Sequence, residues 1–151
     1  MDSLTLLREN LADLTSYGLL SVGLLILGFV GLDLVTPGSL RDKIWREGNR
    51  SAVILAVAQA LGLMLAVAAG IAASTAFELW RGVVNTAVYG IVTIALMMFS
   101  FVLIDLLTPG KLGSLLLDGE DTVEGRHNPA VWLNAVTFLA IGIFVSAALS
   151  L

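Results

Sequence analysis

The sequence predicts an all-α membrane protein in which four transmembrane helices form two tandem two-helix repeats of the same orientation. Three observations carry this. The chain of 151 residues is 58% hydrophobic and 13% charged, with a mean hydropathy of +0.95, whereas soluble domains carry about 25% charged residues. Four runs contain no charged side chain: 14–32, 51–77, 82–104 and 128–151. The hexapeptide Asp-Leu-x-Thr-Pro-Gly occurs twice, as Asp33-Leu34-Val35-Thr36-Pro37-Gly38 and as Asp105-Leu106-Leu107-Thr108-Pro109-Gly110, each time just after one of these runs.

Each charge-free run is near or above the roughly 20 residues that a helix needs to cross a hydrocarbon core. None shows the strict alternation of a barrel strand, and lipid offers no partner for open backbone amides, so helices are the expected spanning form. The flank of the first run (Asp2, Arg8, Glu9, Asp13) is not a basic leader. Its sequence also recurs in the third run, so it is expected to belong to the mature fold. The whole chain, 1–151, reads as one integral membrane domain, with repeat 1 at about 14–77 and repeat 2 at about 82–151.

The copies align at a constant offset of 72 residues: Tyr17-Gly18 on Tyr89-Gly90, Leu24 on Leu96, Phe29-Val30 on Phe101-Val102 and Leu40 on Leu112, with 11 of the 24 positions from Tyr17 to Leu40 identical. A repeat of two helices preserves orientation, so both hexapeptides are expected on one membrane face. The connections that follow them hold Arg41, Lys43, Arg46, Arg50, Lys111 and Arg126, against Arg8 and Arg81 on the other side. Loops 36–50 and 108–128 should therefore be cytoplasmic and both termini outside. Tyr17, Tyr89 and Trp80 then fall at the outer boundary and Trp45 and Trp132 at the inner one.

Within the hexapeptide, proline ends the helix near Val35 or Leu107, and Thr-Pro reads as an N-cap opening the next element. After the first copy, Leu40, Ile44 and Trp45 interleave with Arg41, Lys43 and Arg46, which predicts a short helix in the inner interface, apolar side down. Asn49 and Asn128 read as N-caps of the second and fourth spanning helices, the latter with Pro129 at the first position.

Asp33 and Asp105 need compensation, because a carboxylate in the last turn of a helix faces the negative end of its dipole at membrane depth. One reading has each accept hydrogen bonds from the nearby threonine and free amides and so fix its turn. Another makes them ionisable groups bracketing a polar pathway, and a third makes them docking groups. Gln59, Asn134 and Thr137 lie in the same leaflet, Gln59 falling on Thr137 at an offset of 78. With Asp33 and Asp105 they form a candidate polar cluster, or else interhelical hydrogen-bonding glue. Gly18, Gly23, Gly28 and Gly31, and the pairs Ala58/Gly62, Ala66/Gly70 and Ala69/Ala73, allow close helix packing.

Other chemistry is sparse. The net charge of −4 resides largely in Asp118, Glu120, Asp121 and Glu124, and no basic stripe suggests nucleic acid. The chain has no cysteine, which removes disulfides and thiolate chemistry. His127 is the single histidine, and the acidic loop lacks calcium-loop spacing. No catalytic, cofactor-binding or metal residue is assigned.

Two tandem two-helix units, each with Asp-Leu-x-Thr-Pro-Gly at the end of its first helix and an asparagine-led second helix, resemble the YjfL-type bacterial inner-membrane proteins, a family of unknown function. The resemblance implies a multi-pass protein of the bacterial plasma membrane and brings no activity with it. The expectation is a non-enzymatic protein in the lipid bilayer that acts as a homo-oligomer or with another envelope protein. The alternative is a small ion or solute channel or transporter using the repeated aspartates.

Overall fold

The computed structural model describes residues 3–36, 38–107 and 129–151. Five helices lie among them: α1 (Ser3–Val35), α2 (Leu40–Trp45), α3 (Arg50–Ala73), α4 (Leu79–Leu107) and α5 (Pro129–Leu149). All but α2 are long and apolar enough to cross a membrane, so the four expected spans are present. Pro37, Thr108, Pro109, Gly110, the loop 108–128 with its acidic residues and His127, and the Asn128 cap lie outside the described residues.

Charge marks where a span ends, not where a helix ends. α1 runs for 33 residues, starting well before its charge-free run, because the leucine-rich segment 3–13 contains no helix breaker. At 1.5 Å per residue it is about 50 Å long, against a hydrocarbon core of about 30 Å. Conversely, α3 stops at Ala73, before its apolar run does. There the Ser74 amide closes back on the Ile71 carbonyl at 3.0 Å and the Phe77 amide on that of Ser74 at 3.1 Å, forming the turn into α4. At the other end of α3, Asn49 is the expected N-cap: its Oδ1 accepts from the amides of Ser51 at 2.9 Å and Ala52 at 3.3 Å.

The largest interface joins α3 to α5, and α3 also packs against α1 and α4. α1 has no comparable interface with α5. Tyr17 meets Gly82, Leu24 meets Gly90 and Gly31 meets Met98, pairs that advance together, so α1 and α4 run side by side in the same direction. Gly70 meets Thr86 and Tyr89 while Gly62 meets Met97, so α3 runs antiparallel to α4.

The centre is filled by Leu55, Leu63, Met97, Phe101, Val131 and Phe138, each at most 1% exposed. The Phe101 and Phe138 rings stack at 6.5 Å. Small residues set the distances. A Cβ at Gly62 would collide with the Phe138 carbonyl, and one at Gly142 would lie 2.6 Å from the Gly62 Cα and carbonyl carbon. α3 and α5 therefore touch backbone to backbone, the arrangement that small residues permit between membrane helices. Gly18 and Gly23, in contrast, face open space. Large apolar side chains such as Leu61, Phe99 and Phe144 are exposed, as expected of surfaces whose solvent is lipid.

Candidate functional site

The first repeated corner is built around Asp33, half-buried in the last turn of α1. Its Oδ1 accepts the backbone amide of Arg41 at 3.3 Å, and the Ser39 hydroxyl accepts that of Asp42 at 3.3 Å. Two side-chain oxygens thus satisfy amides in the first turn of α2, whose positive end offsets the unfavourable position of the carboxylate at the end of α1. The amide that Asp33 accepts thus lies eight residues on.

Thr36 does not play the part its spacing suggests. It is 4% exposed, and both its hydroxyl, at 2.7 Å, and its amide, at 3.1 Å, donate to the Leu32 carbonyl. The threonine extends α1 by one bond instead of capping the next helix or donating to Asp33. The N-cap of α2 is Ser39. Gly38, with φ of 94°, supplies the left-handed step that L side chains rarely adopt, which carries the chain past Thr36 before α2 begins.

At the second corner, Asp105 is half-buried near the end of α4, and it too is engaged by a neighbour. Thr108, Pro109 and Gly110 follow outside the described residues.

The remaining candidates bond to helix carbonyls. Gln59, 3% exposed, donates from Nε2 to the Gly28 carbonyl of α1 at 2.7 Å. Asn134, fully buried, donates from Nδ2 to Ala130 at 3.2 Å, and half-buried Thr137 donates to Leu133 at 2.8 Å. Gln59 therefore ties α3 to α1, whereas the Asn134 amide nitrogen and the Thr137 hydroxyl donate within α5. Among the described residues Asn134 Oδ1 is buried with no hydrogen-bond partner, a costly position for a polar atom.

Three buried polar residues lay outside the sequence reading: Ser74, Thr86 and Thr93, each at most 1% exposed. Thr86 Oγ1 lies 3.4 Å from Ser74 Oγ, and Thr93 donates to the Tyr89 carbonyl at 2.7 Å. The signal was present in the spacing of Gly82, Thr86, Gly90, Thr93 and Met97, a helical face of small and weakly polar residues. Beside the Ser74 turn, Glu9, Asp13, Tyr17, Ser74, Thr75, Phe77 and Leu79 line an open cleft of about 370 Å³.

Relatives agree with a membrane protein lacking an assigned activity. The chain is 32% identical over 148 residues to a UPF0719 transmembrane protein of Mycobacterium bovis, covering 98% of this chain and 93% of that one. The same identity and coverage hold for a UPF0719 transmembrane protein of Mycobacterium tuberculosis. A third, from Mycolicibacterium paratuberculosis, is 31% identical over 134 residues, 89% of this chain and 84% of its own. No solved structure matches. The family model described as Domain of Unknown Function (DUF350) matches residues 5–149, and with four apolar helices over that span the chain belongs to this family of multi-pass membrane proteins.

Proposed function

We propose that the chain is a non-enzymatic component of the bacterial plasma membrane that acts by assembly, with a second copy as the partner that best fits its free surface. The observation that carries this reading is the outer part of α1. Leu4, Leu7, Leu11 and Leu14 recur at alternating spacings of three and four and are 76%, 55%, 52% and 70% exposed. They are interleaved with Arg8, Glu9, Asn10 and Asp13, so this segment stands in water or headgroups, where a leucine seam is unfavourable unless covered. The spacing is that of the a and d positions of a coiled coil. Copies inserted in one membrane share an orientation, so their α1 helices run parallel and their seams can meet in register. α1 is also the span least covered by its own chain, with 17% of its most apolar stretch buried against 44% for α3.

The absence of native cysteine makes the test simple. Under mild oxidation in native membranes, Leu11→Cys should give a disulfide-linked species of twice the chain mass, and Thr5→Cys, on another face, should not. Adducts only to a different protein would transfer the seam to an envelope partner. A strictly monomeric Leu11→Cys and Leu14→Cys would end the reading.

The second reading is a small ion or solute conduit. The observation in its favour is Asn134 Oδ1, a buried acceptor without a partner among the described residues, in the same bundle as Asp33, Asp105 and Gln59. Because Phe101, Phe138 and Met97 fill the centre of one chain, such a path would run between copies. Asp33→Asn with Asp105→Asn should then reduce flux in proteoliposomes by about tenfold or more, on the scale of a lost charged group; unchanged flux removes the conduit. The tandem duplication and the placement of 36–50 and 108–128 in the cytoplasm, with both termini outside, are part of the proposal and rest on the repeated hexapeptide and the lysine and arginine distribution.

A further inference from the structure

We propose that α2 and the turn before it form a binding site for the phosphate of an anionic phospholipid headgroup. Ser39, Arg41, Asp42, Trp45 and Arg46 line an open cleft of about 550 Å³, within the size range of small-ligand sites. The cleft is held in place from below and from the side. Leu40 is fully buried and Ile44 packs on the core, while the Arg41 amide is bonded to Asp33. One face of a six-residue helix is thereby fixed to the bundle, and its other face presents two guanidinium groups and an indole.

The level of the cleft matches a headgroup. Leu34, next to Asp33, is 81% exposed, as is Leu106 at the matching end of α4, so lipid-facing apolar surface continues to the last turn of both helices. The cleft begins where that surface stops. Trp45, 79% exposed, is the residue type that settles at this boundary.

Charge selects the ligand. Arg46 Nε lies 3.8 Å from Asp42 Oδ1, with both side chains exposed, a loose surface pair that leaves the guanidinium open to a ligand. Lys43 pairs with Glu47 at 3.1 Å, away from the cleft lining. Arg41 and Arg46 outweigh Asp42, so the lining is net positive in a chain whose net charge is −4. An acidic protein has no general attraction for anionic lipid, so any preference must come from a local site. Guanidinium groups match phosphate oxygens in a two-pronged geometry that an ammonium lacks. The inference does not depend on how copies of the chain assemble.

The test uses the full chain purified in mixed micelles of phosphatidylglycerol and phosphatidylethanolamine, with retained lipid counted by native mass spectrometry. Wild type should retain phosphatidylglycerol over phosphatidylethanolamine by about tenfold, and Arg41→Gln with Arg46→Gln should lose most of that preference. Lys43→Gln with Glu47→Gln, outside the cleft, should keep it. Arg46→Gln alone changes a side chain 82% exposed, so its partial loss is readable even if the double variant folds poorly. The proposal is overturned by a wild type without preference, by arginine variants that hold as much phosphatidylglycerol as wild type, or by millimolar inorganic phosphate displacing the lipid, which would make the cleft a site for a free anion.

Discussion

Gly142→Leu should separate α3 from α5 and cost at least about 3 kcal/mol, the upper range for overpacking a core. The reason is what the new side chain meets. At most crowded positions the neighbour is the end of a flexible side chain, which can turn away. Here it is the backbone of Gly62, with the Phe138 carbonyl pressed against Gly62 in turn. Neither helix can yield locally without breaking its own hydrogen bonds, so the whole interface must open, and it is the largest among the described helices. The effect should appear as a lowered unfolding midpoint in detergent, followed by circular dichroism, or as failure to accumulate in membranes. Gly18→Leu is the matched control: a Cβ there meets nothing within 4 Å, and its midpoint should stay near that of wild type. Equal midpoints for the two variants would refute the backbone contact.

Phe138→Ala should cost about 2 kcal/mol, measured in the same way. In water a buried phenylalanine would be worth more, but lipid tails are as apolar as the core, so the transfer part of the loss is small and the vacated volume dominates. Phe138 is fully buried and its ring stacks on Phe101 with an interplanar angle of 28°. The double variant with Phe101→Ala should therefore cost less than the sum of the single changes, by about 1 kcal/mol for the lost ring pair. Strict additivity would mean that the rings do not support each other.

The spans were legible because they depend on composition over some twenty residues, which a bilayer reads directly. Proline predicted the end of α1 at Val35, and Asn49 was recognisable as a cap because capping is decided within three residues. The first corner was legible only in part. Thr36-Pro37 has the local form of an N-cap, but the Leu32 carbonyl competes for the same hydroxyl and wins, and the left-handed step at Gly38 delays α2 to Leu40. The partner of Asp33 lies eight residues on, in another helix, where no spacing rule reaches. The depth of Gln59 in its helix marks it as a member of a polar cluster or as interhelical glue, but its acceptor, the Gly28 carbonyl, lies thirty-one residues away in another helix and has no signature in the sequence. The contact of Gly62 with Gly142 joins positions eighty residues apart. Small-residue spacing identified Gly62 as a packing position and could not say which helix it would meet.

The unbroken course of α1 has a mechanical consequence. A single rod of about 50 Å joins the leucine seam at one end to Asp33, and through it to the lipid-facing arginines, at the other. Pivoting it by about 5° around its middle, near Tyr17 and Leu20, would carry each tip sideways by about 2 Å. Whatever grips the far tip therefore acts on the same unbroken helix that carries Asp33 beside the proposed headgroup cleft.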